Sequence, residues 1–216
     1  MKLSLENISK SYGENSVLRG ISLSVGNESV AVMGKSGSGK TTLLRIAAGL
    51  EKPDSGTVKT DGRIAFSFAE PRLFESISVL ENVTCVIDGD EKENAERAKE
   101  ILSSLAITDV YEKKPSELSS GMAQRVSLAR MIASDRSICL LDEPLRGLDE
   151  ATKAIVISAL QKYLRGKCAL IVTHSKEEAN ALCNKIYTFS DAVMKYEIPQ
   201  RTLKNWSAGD FFPIIS

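Results

Sequence analysis

The sequence predicts an α/β fold organised around a phosphate-binding loop, with a small β layer ahead of that loop and a charged helical insertion behind it. Three observations carry it. An apolar run at residues 29–33 leads into a glycine-rich loop at 34–42 and then into helix-favouring residues 43–48, the strand, loop and helix start of an anion site. Further strand-length apolar runs stand at 137–141 and 168–173, between amphipathic stretches at 90–105 and 149–163. At 216 residues the chain can build one substantial domain and is too short for two full-sized ones.

From the N-terminus, Leu3, Leu5 and Ile8, then residues 17–25 and 29–33, read as two or three strands joined by turns at 13–15 and 26–27. These strands predict the small β layer. Tyr12 falls in the first turn, where an exposed aromatic face can stack on adenine; the plainer reading is an amphipathic surface tyrosine.

In the loop, Gly34, Gly39, Lys40 and Thr41 keep the spacing G-x-x-x-x-G-K-[ST], with Lys35, Ser36, Gly37 and Ser38 between them and Thr42 after. Glycines permit positive φ and leave no side chain in the path, so the backbone can turn its N–H groups inward around phosphates. The helix that follows adds the positive end of its dipole. Lys40 can reach the β and γ phosphates and the Thr41 hydroxyl can ligate Mg²⁺, which specifies a nucleoside triphosphate rather than a generic anion.

Residues 49–56 are dense in turn formers and precede strand candidates at 57–59 and 63–68. The pattern breaks at 69–72 and becomes helical from Ile77. Between 90 and 105, Ala95, Ala98, Ile101, Leu102 and Leu105 fall on one stripe with charges opposite, which predicts a surface helix packed on the core. After a break at 115–118, Ser119, Ser120 and Gly121 open a helix running through Gln124, Val126, Leu128, Ile132 and Ala133. Those three residues are ordinary helix caps, and equally a second anion site, because the same free N–H groups point outward.

The run 137–141 ends in Asp142, Glu143 and Pro144, two carboxylates at the C-terminal end of a buried strand, where open α/β sheets place their chemistry. Asp142 can hold the Mg²⁺ shell opposite Thr41, and Glu143 can polarise the attacking water. His174, the only histidine, follows the next buried strand; such a residue is either structural or a donor to a γ-phosphate. Residues 185–189 and 192–197 read as closing strands, and the tail with Trp206, Phe211 and Phe212 is expected to pack on the core.

Composition excludes other classes. Lys plus Arg balances Asp plus Glu at 28 each, with no basic arm, so no nucleic-acid partner is expected. The longest apolar runs are of strand length, and the first 13 residues alternate polar with apolar, so neither a membrane span nor an export signal is expected. Cys85, Cys139, Cys168 and Cys183 lack C-x-x-C spacing and fit a reduced cytoplasm.

Together these residues resemble the ATP-binding subunit of ABC transporters over nearly the whole chain. Tyr12 matches the adenine-stacking loop, residues 34–42 the Walker A loop, and 118–122 with Gln124 and Arg125 the signature motif. Residues 137–143 match the Walker B strand, Leu148 and Asp149 the D-loop, and His174 the switch histidine. The resemblance implies one ATPase domain over 1–216, with a RecA-like, mostly parallel core sheet, an N-terminal antiparallel β subdomain and a helical subdomain at about 70–134. It implies ATP and Mg²⁺ as cofactors and catalytic roles for Glu143 and His174. It also implies a head-to-tail dimer in which Ser119 and Gly121 of one subunit meet the ATP held by the other. The implied partners are a transmembrane permease subunit and a substrate-binding protein, which would place the chain in the cytoplasm, peripheral to the inner face of the membrane. The look of residues 70–74 and 79–83 is that of importer ATPases of the nitrate, sulfonate and taurine group. Competing readings are a non-transport ABC ATPase acting on a ribosome or nucleic-acid complex, and a phosphate-loop kinase.

Two positions depart from the family pattern. Where the family carries Gln after the strand ending at Phe68, this chain has Ala69, whose methyl can neither meet Mg²⁺ nor orient water. Hydrolysis is therefore expected to be slower, or coupled differently, than in relatives. Ser120 replaces the first glycine of the signature, with a modest effect expected.

Overall fold

A hairpin of β1 (Leu3–Tyr12) and β2 (Asn15–Val25) begins the chain, in a computed structural model that describes residues 3–190 and 193–197. β4 (Ser55–Thr60) pairs antiparallel with the free edge of β1, giving a three-stranded sheet of order β2-β1-β4. This corrects the expected β layer in one respect. Its third strand is not β3 (Ser29–Gly34), which joins a second sheet of order β5-β6-β7-β3-β8-β9. The reason is burial. Val30 and Val32 point into one hydrophobic cluster and Ala31 and Met33 into another, so β3 has no face to give to water.

The second sheet is formed by β5 (Ile64–Ser67), β6 (Ile138–Asp142), β7 (Cys168–Val172), β3 and β8 (Lys185–Ser190), all parallel, with β9 (Val193–Glu197) antiparallel at one edge. Along β6 and β7 the same period of two divides the residues. Cys139, Leu141, Ala169 and Ile171 face one cluster, and Ile138, Leu140, Cys168 and Leu170 face the other. Burying an aliphatic side chain of this size contributes about 1.5–3 kcal/mol. Strands of only five residues are therefore held firmly from both sides.

Helix α1 (Lys40–Ala47) packs with the three-stranded sheet in one cluster. Helices α2 (Val79–Thr84), α3 (Glu91–Ser104) and α4 (Ser120–Ala133) pack on one another in the other cluster, where α5 (Glu150–Tyr163) and α6 (Lys176–Leu182) also contribute. The stripe expected on α3 is present, with Ala98, Leu102 and Leu105 buried and Ala95 and Ile101 half-buried. One 3-10 turn, Pro115–Glu117, separates α3 from α4. The strand expected at 63–68 is shorter, and α6, with Ser175 as its cap, has no counterpart in the sequence-based expectation. The tail residues Trp206, Phe211 and Phe212 lie outside the described residues.

Candidate functional site

The phosphate loop leaves the sheet from β3, a central strand with β7 on one side and β8 on the other. Its glycines are structural requirements. A Cβ on Gly34 would stand 2.3 Å from the Phe189 carbonyl oxygen, and one on Gly39, at φ 102°, would stand 2.5 Å from Val17 Cγ1. Any larger residue would push the loop off the sheet. Gly39 is the N-cap of α1 and supplies no side-chain cap. Every other α-helix among the described residues has one: Ser78, Asp90, Ser119, Asp149 and Ser175 each accept from a first-turn N–H. The first turn of α1 thus keeps its N–H groups for a ligand, and the helix dipole adds its positive end there.

Lys40 is buried, and its ammonium donates to the carbonyl oxygens of Gly34 (2.8 Å) and Lys35 (2.7 Å), with Ser38 Oγ at 3.5 Å. Burial lowers its pKa, while the carboxylates of Glu143 and Asp142 hold its proton on. The side chain is anchored without an ion-pair partner within contact, so its donors can pass to a phosphate.

The carboxylates arrive on β6. Asp142 is the last residue of the strand and is 3 % exposed. Thr41 Oγ1 donates to its Oδ1 at 3.3 Å. Burial raises the Asp142 pKa, against the pull of Thr41, Arg45, Lys40 and Arg146. Glu143 adopts φ 47°, a left-handed conformation uncommon for a residue with a side chain, pinned by its N–H donating to Val172 O at 2.9 Å. Its Oε2 lies 2.8 Å from His174 Nδ1. Burial also raises the Glu143 pKa, and the neighbouring imidazole draws it back. A carboxylate lifted above its ordinary range and joined to a histidine is suited to take a proton near neutral pH.

These groups line one cleft of about 710 Å³. Of the sequence-predicted residues, Tyr12, Gly34, Lys35, Ser36, Gly37, Gly39, Lys40, Thr41, Thr42, Asp142, Glu143 and His174 lie on its wall. Ser38 is not on that wall, although its hydroxyl stands 3.5 Å from the Lys40 ammonium. Tyr12 ends β1 rather than sitting in the turn, because it pairs across the hairpin with Asn15. Its ring is half exposed, its hydroxyl donates to Glu51, and the Lys10 ammonium stands 5.6 Å from the ring centre. These contacts orient the ring on the wall of the cleft. Val17, Arg146 and Val172 also line the cleft and were not anticipated; only an arginine so close after a carboxylate pair could have flagged one of them.

Oxygen donors from Thr41 and Asp142 converge on one spot, and Ala69, on the same wall, adds none. One hydroxyl and one carboxylate fit Mg²⁺, which keeps waters and takes substrate phosphate oxygens rather than a cage of side chains. No group of three or more His, Cys, Asp or Glu that could hold a metal occurs among the described residues.

Ser119 and Gly121 lie outside this lining. Ser119 Oγ accepts from Met122 N at 3.2 Å, and a Cβ on Gly121 would stand 3.2 Å from Gly147 O. Further along, α4 is tied to the site and to its neighbours. Gln124, buried, donates from Nε2 toward Phe68 O (3.5 Å), just before Ala69, and Pro144 O (3.4 Å), just after Glu143. Arg125 Nη1 donates to Leu105 O at 3.1 Å, fastening α4 to the end of α3. No helix among the described residues is long and apolar enough to cross a membrane.

Residues 18–146 match a family model described as ABC transporter. An aliphatic sulfonates import ATP-binding protein of Corynebacterium glutamicum is 40% identical over 195 residues, covering 88% of this chain and 80% of that protein. A sulfate/thiosulfate import ATP-binding protein of Bradyrhizobium diazoefficiens is 36% identical over 211 residues, covering 86% of this chain and 60% of that one. Among solved structures, the dimeric post-hydrolysis state of the ATP-binding cassette MJ0796 bound to ADP and Pi is similar with a TM-score of 0.84 at 30% identity, covering 91% of this chain and 98% of that one.

Proposed function

The chain belongs to the ABC transporter family and is an ABC-type ATPase; from that premise we propose that it energises a membrane importer, closing on ATP as a head-to-tail dimer and reopening on hydrolysis. The carrying observation is that one protomer supplies a cleft lined by the predicted pieces, with Ser38 in the same loop, while Ser119 and Gly121 open a helix elsewhere on its surface. Paired head to tail, each copy would set that helix start over the nucleotide of the other. Residues 1–216 would act as one ATPase domain, with residues of about 70–134 as its helical subdomain.

Within the cleft, the N–H groups of the loop and of the uncapped first turn of α1 hold the β and γ phosphates. Lys40 exchanges the carbonyls of Gly34 and Lys35 for phosphate oxygens, and Tyr12 stacks on adenine. Thr41 and Asp142 would hold Mg²⁺, which when bound neutralises charge on the phosphate oxygens. Glu143 orients a water and accepts its proton as the water oxygen bonds to the γ-phosphorus and the bond to the ADP oxygen breaks. His174 would donate to the γ-phosphate oxygens, a reading supported by its contact with Glu143 at 2.8 Å.

ATP favours closure because the contacts from the second copy fall on the γ-phosphate, which ADP lacks. Driving a mostly open population mostly closed takes about 5.5 kcal/mol. Charge-assisted hydrogen bonds at roughly 1.5–3 kcal/mol each, from two sites, supply that. The movement would pass to a transmembrane permease served by a substrate-binding protein, with this chain at the cytoplasmic face. The importer names of the sulfonate and sulfate/thiosulfate relatives support this direction of transport.

The test is the mass of the full chain carrying Glu143→Gln, measured by light scattering. ATP with Mg²⁺ is expected to double it and ADP to leave it single, and a permease should co-purify with the native complex. A variant that stays monomeric when saturated with ATP would overturn the dimer mechanism.

A further inference from the structure

Arg146 stands at the carboxylate end of the cleft and has no assigned part in it. Its backbone N–H donates to Glu143 O at 3.1 Å, closing a turn that starts at the left-handed Glu143. That turn folds the exposed arginine back against the wall that also carries Asp142, Glu143 and His174. Its guanidinium makes no side-chain hydrogen bond and no ion-pair contact among the described residues, and acts on Asp142 only through its charge. The carboxylates beside it are already engaged, Asp142 by Thr41 and Glu143 by His174.

The rest of this wall explains why an unengaged cation matters here. Ala69 presents a methyl group to the cleft, so the polar contact an amide could make on that side is missing. A bound triphosphate brings its most negative group to this end, close to two carboxylates, and Lys40 is the only buried cation within the described cleft to offset them. A guanidinium has five donors in a planar fork that matches two oxygens of one phosphate.

We propose that Arg146 is a phosphate-binding residue of this cleft, contacting from the same chain the terminal phosphate of a bound nucleoside triphosphate, or the phosphate set free from it. The proposal rests on the nucleotide reading above and adds a contact which that reading does not use. It makes Arg146 discriminate by charge at one end of the ligand, so it affects triphosphate and diphosphate unequally. A merely structural arginine would affect both alike or neither.

The experiment titrates the full chain, kept dilute enough to remain monomeric, with a non-hydrolysable ATP analogue, with ADP, and with inorganic phosphate at saturating ADP. Arg146→Ala and Arg146→Lys are compared with wild type, with melting curves as the check on folding. For Arg146→Ala the analogue should bind roughly 10- to 100-fold more weakly, the worth of a charge-assisted hydrogen bond. ADP should change less than about threefold, well under the tenfold that 1.4 kcal/mol represents. Arg146→Lys should recover part of the loss. A loss in the analogue titration identifies the bound terminal phosphate as the partner, and a loss confined to the inorganic phosphate titration identifies the released one. Equal losses for analogue and ADP, or none in any titration, would overturn the role of Arg146 and leave the ATPase reading intact. A wild-type chain that bound neither nucleotide would overturn both.

Discussion

Helices α1 and α4 each begin at a Gly- and Ser-rich sequence, yet the two starts are built oppositely. At α1 the N-cap is a glycine without a side chain, the first turn opens into the cleft, and Lys40, Asp142 and Glu143 stand around it. At α4 the N-cap is Ser119, which satisfies Met122 N itself, and the turn lies outside that cleft. The difference teaches that two similar helix starts can face different surroundings: one opens onto the cleft, and the other stands outside it, where the proposed dimer would set it over the nucleotide of a second copy.

The contrast breaks most severely at Gly39. Gly39→Ala forces a side chain into a φ of 102° and against Val17, so we expect nucleotide affinity to fall by more than the roughly tenfold that 1.4 kcal/mol represents. Strain of order 1–3 kcal/mol should lower the melting midpoint as well, by about 2–4 °C for each kcal/mol at this chain size. Normal binding with an unchanged melting curve would show that the loop geometry is not what makes the pocket.

Ser119→Ala sharpens the comparison from the other side. Losing the cap should cost about 1 kcal/mol of stability. Nucleotide binding by the monomer should be unchanged, while turnover in concentrated protein should fall about tenfold or more, as expected when a charge-assisted hydrogen bond is lost. The account fails if a dilute monomer carrying this substitution hydrolyses ATP at the full rate.

The smallest effect is one of pH at the pocket alone. Burial raises the Glu143 pKa, so the native state binds this proton more tightly than the unfolded chain does. Its charged form therefore opposes folding. That opposition is absent well below the ordinary glutamate value of 4.5 and complete above the raised native value. Glu143→Gln should accordingly melt a few degrees higher than wild type at pH 8, with the gap closing as pH falls. A gap independent of pH would mean that the residue acts through packing instead.

Much of the pocket was legible in the sequence because its parts are local. The glycine spacing, the strand before it and the Asp142–Glu143 pair at the end of an apolar run each announce their chemistry within a few residues. What escaped is what depends on distant chain segments meeting. β4 completes the small sheet by pairing with β1 about fifty residues earlier in the chain, and nothing in its own pattern names that partner. Tyr12 is oriented by Glu51, and Gly39 is roofed by Val17, through contacts that no periodicity encodes. α6 is only seven residues long, too short for a periodic signal, and is marked mainly by the Ser175 cap. Arg146 lines the cleft after a turn that starts at the left-handed Glu143, a backbone choice that is not evident from an ordinary glutamate in the sequence.

The Ser119 hydroxyl faces two ways at once. Holding Met122 N uses a lone pair on its oxygen and leaves the hydrogen unspoken for. An arriving copy would therefore meet a donor already locked in place, so that docking demands no refolding at this corner. Pairing should then follow a single kinetic phase that quickens in proportion to protein concentration.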